Sequence, residues 1–148
     1  MDDAPLSSAS AVVDRLMAAT NAHDVDALVA CFAPDYVLTD PAHPARSFTG
    51  AEQVRRNWTA IFAGVPDLRC TVLARAESAG DAGVTSVWVE MAMTGMRRDG
   101  APHELAGVMV FGVRDDAIVT GRFFLQPVDH AAVDADAAVR STLAAQVP

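Results

Sequence analysis

Val84-Thr85-Ser86-Val87-Trp88-Val89-Glu90-Met91-Ala92-Met93-Thr94-Gly95-Met96 alternates through its middle. Val87, Val89, Met91 and Met93 fall on one side, and Trp88, Glu90 and Ala92 on the other. A period of two marks a strand with one face buried. Residues 68–76, 103–114 and 117–126 repeat the pattern, with Leu68, Cys70, Val72 and Ala74 sharing one face of the first. The connections are short: Ser78-Ala79-Gly80-Asp81-Ala82-Gly83, Arg97-Arg98-Asp99-Gly100, and Asp115-Asp116. Gly and Asp suit tight hairpin turns, so an antiparallel four-strand meander is predicted.

Upstream of residue 68 the period becomes helical. Val12, Val13, Leu16, Met17 and Thr20 predict a first helix capped by Ser8 or Ser10. Asn21-Ala22-His23 breaks it. Asp24 then caps a short second helix carrying Val25, Leu28, Val29 and Phe32, which Pro34 ends. Tyr36 to Asp40 reads as a strand stopped by Pro41, followed by a proline-stiffened loop, Pro41 to Arg46. Thr49 and Glu52 are spaced as a capping box for a third helix bearing Val54, Trp58, Ile61 and Phe62. Residues 1–8 read as a flexible tail, and 130–148 as a C-terminal tail with helical character behind Asp134. The chain thus reads as one α+β domain over 1–148. Its amphipathic helices cover a long, curved, mostly antiparallel sheet and leave a conical cavity between the layers.

Net charge is −8, and adjacent basic residues occur only at Arg55-Arg56 and Arg97-Arg98. No nucleic-acid or anionic-membrane surface is expected. All 11 bases are Arg. Without Lys, Schiff-base and P-loop chemistry are excluded. No apolar run reaches the ~18 residues of a membrane span, and the acidic start Met1-Asp2-Asp3 lacks a signal peptide's basic region. A cytoplasmic location is expected. Cys31 and Cys70 read as buried thiols; two distant cysteines do not make a zinc site, so no metal is expected.

Asp40 is the most informative single residue. Alternation places it on the face of Tyr36 and Leu38, so a core-facing strand brings a carboxylate to the rim of an apolar cavity. Desolvation there disfavours the charged form and makes a better proton acceptor near neutral pH. The other reading is that Asp40-Pro41 simply turns the chain. His43, three residues on, is placed to exchange a proton with it. Leu16, Leu38, Trp58, Phe62, Val89, Met91, Phe123 and Leu125 are expected to line the cavity, with Tyr36 and Met109 beside them. The methionines would adapt the cavity to a flat polycyclic or terpenoid ligand. His103 and Glu104, just after a turn, read as ordinary exposed residues. Glu90 and Arg122 alternate out of phase with the apolar set and should point away from the cavity.

The run Asn21-Ala22-His23-Asp24-Val25-Asp26-Ala27-Leu28-Val29-Ala30-Cys31-Phe32-Ala33-Pro34-Asp35, then Asp40-Pro41 and Thr49-Gly50, is similar to the opening of the nuclear-transport-factor-2-like superfamily. The strand pattern of 68–126 continues the match. Phe111 to Ile118 and Arg122 to Pro127 resemble the last hairpin of the SnoaL-like polyketide cyclases. The resemblance implies a cone-shaped α+β barrel, and it makes Asp40 look like the general base of the ketosteroid isomerases. The donors that stabilise the enolate in those enzymes do not carry over. The helix Tyr position reads Leu16, the strand Asp position falls near Met109, and two supporting Tyr positions read Phe32 and Trp58. The cyclases take an acid from the last strand, where this chain has Gln126. The implied function is a cofactor-free isomerase, cyclase or epoxide hydrolase of secondary metabolism acting on a hydrophobic carbonyl or epoxide substrate. The alternatives are a non-catalytic small-molecule-binding or dimerisation module and a dehydratase-like use of His43 with Asp40. Trp88 and Phe124 on the outer sheet face predict a homodimer.

Overall fold

The computed structural model describes residues 7–144. Helices α1 (Ser8–Asn21) and α2 (Val25–Val29) precede β1 (Phe32–Thr39), β2 (Phe48–Thr49) and α3 (Ala51–Gly64). Strands β3 (Arg69–Ala79), β4 (Thr85–Met96), β5 (Pro102–Arg114) and β6 (Ala117–Pro127) follow, and α4 (Ala135–Ala144) comes last. One curved, unclosed six-stranded sheet has the order β2-β1-β6-β5-β4-β3. The meander is antiparallel throughout, whereas β1 returns to lie parallel to β6. At Asp115 and Asp116, φ values of 51° and 58° give the left-handed two-residue turn that twisted strands require.

The helix starts differ from expectation in instructive ways. Ser7, not Ser8 or Ser10, caps α1, its hydroxyl accepting from the Ser10 N–H at 3.1 Å; of the tail expected over 1–8, Ser7 and Ser8 thus belong to the helix start, and 1–6 lie outside the described residues. Asp24 caps α2 as the sequence indicates, accepting from Ala27 N–H at 3.0 Å. Helix α2, however, stops at Val29, and Phe32 already belongs to β1, so Pro34 sits inside a strand rather than ending a helix. No capping box forms at α3. Thr49 pairs with Val37 in β2, and Gly50, at φ 104°, occupies the cap position. Pairing with β1 decides Thr49's backbone conformation, overriding its local capping preference. The loop after Asp40 contains a short 3-10 helix, Pro44–Arg46.

The motif at residues 21–24 is explained by docking. The Asn21 amide clamps the Cys70 backbone, donating to its carbonyl at 3.0 Å and accepting from its N–H at 2.7 Å. His23 has its backbone at φ 55°, and its ring bonds the Leu68 carbonyl at 2.9 Å and stacks on Phe62 with centroids 4.4 Å apart. Together they fasten the end of α1 to the start of β3.

A bulge at Leu73 breaks the expected alternation of β3, because the register slips between Val72–Met91 and Ala74–Glu90. Beyond it the faces exchange. Ala74 moves to the outer side, and Arg75 and Glu77, opposite Val89 and Val87, reach α1. Arg75 pairs with Asp14 at 2.7 Å, and Glu77 accepts from the hydroxyls of Ser10, at 2.6 Å, and Ser7. The Ser10 and then the Ser7 hydroxyl hold the Glu77 carboxyl below its usual range. A carboxyl with a lower value folded than unfolded stabilises above the free-Glu range, and that gain is lost as pH falls through the folded value. Glu77→Gln should therefore flatten the acid limb of a stability-against-pH curve; an unchanged limb would show that the clasp contributes nothing.

The core lies between the sheet and the helices. Val12, Val13, Leu28, Leu68, Val87, Val89 and Ile118 are fully buried, each contributing about 1.5–3 kcal/mol relative to exposure.

Candidate functional site: an apolar cavity beside a buried aspartate

A cavity of about 220 Å³ opens between α1, α3 and the inner sheet face. Helix α1 supplies Leu16, Met17 and Thr20, and α3 supplies Val54, Asn57, Trp58 and Ile61. The sheet supplies Tyr36, Leu38, Met91, Met93, Met109, Phe123 and Leu125 among others. Of the ten residues expected to contact a ligand, eight stand in this wall: Leu16, Tyr36, Leu38, Trp58, Met91, Met109, Phe123 and Leu125. Phe62 does not, because it is drawn onto His23. Val89 does not either, being fully enclosed in the packed core.

The wall also holds polar residues that the strand and helix periods could have revealed. Asn57 lies three residues after Val54 and four before Ile61, on the same helical stripe. His103 is in phase with Leu105 and Met109 along β5, so it faces the cavity instead of solvent. Thr20 Oγ1 donates to the Leu16 carbonyl at 2.7 Å, and Asn57 Oδ1 accepts from Gln53 at 2.7 Å. Burial pushes the Cys70 thiol up to about 11, leaving a neutral, weakly nucleophilic wall group. Glu90 is exposed and Arg122 lies over the outer ring of Phe124 at 5.4 Å, so neither reaches the cavity.

Volume restricts the occupant. An engineered cavity of ~150 Å³ takes one benzene, and drug-sized sites start near ~300 Å³. The space suits one or two rings, roughly ten heavy atoms by that scaling. That is smaller than the polycyclic ligand expected from the methionine content.

Asp40 stands one alternation beyond Leu38, at the end of β1, and is only 4% exposed. It is not itself in the cavity wall. Its Oδ1 accepts the backbone N–H of His43 at 2.9 Å and lies 3.5 Å from the His43 Nδ1. Its own N–H donates to Ser47 Oγ at 3.0 Å, closing the base of the 40–47 loop. The structure therefore joins the two residues singled out for chemistry, and it also gives Asp40 a turn-forming bond. Among the described residues no arginine pairs with Asp40, and no three His, Cys, Asp or Glu side chains stand together as metal ligands. No described helix is long and apolar enough to cross a membrane.

Solved structures share this architecture. A hypothetical protein with a ketosteroid isomerase-like fold from Catenulispora acidiphila, in complex with trimethylamine, is 22% identical with a TM-score of 0.63 over 76% of this chain and 84% of that one. A loop-truncation variant of IdmH is 25% identical, with a TM-score of 0.64 over 79% and 91% of the two chains. An NTF2-like protein of unknown function from Burkholderia pseudomallei is 17% identical, with a TM-score of 0.67 over 83% and 92%. No curated protein matches in sequence. The family model of the SnoaL-like domain matches residues 13–121. With that match spanning most of the helical layer and the sheet, the chain belongs to the SnoaL-like domain family, and its fold is that of the ketosteroid isomerase-like and NTF2-like structures.

Proposed function

We propose that this protein binds a small hydrophobic molecule in the α1–α3–sheet cavity and acts on it by acid–base chemistry, with Asp40 as the proton acceptor and His43 as its partner. The substrate class is a hydrophobic carbonyl or epoxide compound, and the reaction an isomerisation, cyclisation or ring opening without a cofactor. One observation carries this reading: Asp40 is buried, without an arginine, one strand step from the cavity wall. Burying a carboxylate is costly unless it is paired and hydrogen-bonded. A turn needs only an exposed Asp, so the burial calls for another reason.

The second reading, a non-catalytic binder, is favoured by the bond from His43 N–H to Asp40 Oδ1. A test separates them. 1-Indanone, a two-ring ketone of suitable size, is incubated with the protein in D₂O and its α-proton signals are followed by NMR. Under the acid–base reading the protein accelerates exchange well beyond buffer. Binding without acceleration leaves only the binder.

A homodimer forms through the outer sheet face under the same proposal. Trp88 is 42% and Phe124 38% exposed there, flanking Val108 and Val110. Sedimentation should give twice 15.6 kDa, and Trp88→Glu should shift the mass towards one chain. A wild-type mass of one chain at all concentrations would refute this.

A further inference from the structure

Tyr36 is the chain's single tyrosine, and at 2% exposure it is the most deeply buried polar-tipped residue of the cavity wall after Thr20. Its ring is fixed on two sides by edge contacts, to Phe32 at 4.7 Å and to Phe48 at 6.1 Å between centroids. On the third side it lies across β6 over Gly121. A Cβ at that position would come within 2.1 Å of the Tyr36 hydroxyl oxygen and 3.0 Å of Cζ. Gly121 therefore makes the room in which the hydroxyl sits.

That hydroxyl has no hydrogen-bond partner among the described residues, although a buried phenol ordinarily has one. Thr20 satisfies its own proton on the Leu16 carbonyl, so the two buried hydroxyls of the wall differ in kind. Among the described residues no side-chain nitrogen or oxygen is both sealed from open space and unpartnered. The Tyr36 oxygen is therefore not fully sealed, and Tyr36 belongs to the cavity wall.

We infer that the Tyr36 hydroxyl is the anchor for the ligand's oxygen: it donates its proton to a neutral acceptor, a ketone or aldehyde carbonyl, on a molecule of one or two rings. This rests on the reading of the cavity as a small-molecule site and narrows its ligand class. No arginine stands in the wall and the chain has no lysine, so the wall offers a ligand's oxygen hydroxyl, amide, indole and imidazole groups and no permanent positive charge. A pure hydrocarbon would fill the space but leave the phenol unpartnered, a cost that a carbonyl ligand removes. Burial holds the phenol well above its ordinary ionisation range, so it remains a donor throughout neutral pH.

The register also places the hydroxyl along β1. In the parallel register Gly121 is level with Leu38. The Tyr36 hydroxyl meets Gly121 beside the Leu38 side chain, so it lies further along β1 than its own Cα, on the Asp40 side. The donor comes from β1, whereas the corresponding region of α1 presents Leu16 to the cavity.

The test is Tyr36→Phe, which keeps the ring and removes only the oxygen, titrated with two shape-matched probes, 1-indanone and indane. The wild type should prefer 1-indanone. Tyr36→Phe should lose about 3- to 10-fold in affinity for the ketone, the worth of one neutral hydrogen bond, with indane unchanged. The variant without ligand should melt at or slightly above the wild-type temperature, since an unpartnered hydroxyl has been removed. Binding of indane by the wild type with no ketone preference, or equal loss for both probes, overturns the anchor while the cavity reading stands. If neither probe binds the wild type, the cavity reading falls and the anchor with it. A clear drop in the melting temperature of Tyr36→Phe shows instead that the hydroxyl is engaged within the fold, and that too overturns the inference.

Discussion

Asp40→Asn should reduce the exchange of 1-indanone α-protons by about 10²- to 10⁴-fold, the usual worth of a positioned general base, while leaving the fold and the ketone's affinity nearly intact. The substitution is selective for a physical reason. Asparagine keeps an Oδ1 that can accept the His43 backbone N–H, now made at 2.9 Å, so the loop from 40 to 47 keeps its closure. What it loses is the basic carboxylate. The melting temperature should therefore change by no more than a few degrees. Asp40→Ala behaves differently, since it also removes the turn acceptor, and should cost about 1 kcal/mol or more in stability. His43→Ala should slow exchange only modestly, because its half-exposed ring lies at 3.5 Å, beyond a good hydrogen bond. Undiminished exchange in Asp40→Asn, measured by the same NMR assay, would remove Asp40 from the chemistry and leave it a turn residue.

Gly107→Ala should destabilise the protein by roughly 3 kcal/mol or more. Gly107 lies in the middle of β5 at φ 146°, a conformation essentially closed to residues with a Cβ. An added Cβ would also come within 2.2 Å of the Phe124 carbonyl oxygen and 3.1 Å of the Leu125 Cα, both backbone atoms that cannot swing aside. Met91 and Leu125 flank Gly107 in the ladder, and both belong to the cavity wall. Relief of the strain would therefore move the wall as well as weaken the sheet. With a urea m-value of about 1–3 kcal/mol/M for a small protein, the midpoint should fall by 1 M or more, roughly. A loss below about 1 kcal/mol would mean that the strand relaxes without strain.

Much of this architecture was legible in the chain itself. Alternation at 84–96 and 103–126, with two-residue and four-residue breaks, dictates hairpins because side chains in a strand must take opposite faces. Asp24 at its cap and the Val12–Thr20 stripe follow from helix chemistry in the same local way. Asp40 and His43 were also readable together, since three residues around a proline turn cannot separate far. Face assignment likewise named eight wall residues without knowing where the wall was.

Other features depend on groups distant in sequence, and only the tertiary structure decides them. Pairing with Val37 turns Thr49 into a strand residue, and one extra residue at Leu73 sends Arg75 and Glu77 inward to α1. Alternation says which side chains meet between sheet and helices but not whether they fill the gap. That is set by how far α1 and α3 stand off, and His23 helps to set it by drawing Phe62 out of the wall. The same holds for Tyr36, which sequence periodicity marks only as an inward aromatic. Whether its hydroxyl finds a partner depends on what β6 places beneath it, and β6 places Gly121 there, with space and no acceptor. A period determines direction, whereas a cavity and an unpaired proton are determined by distances across the fold.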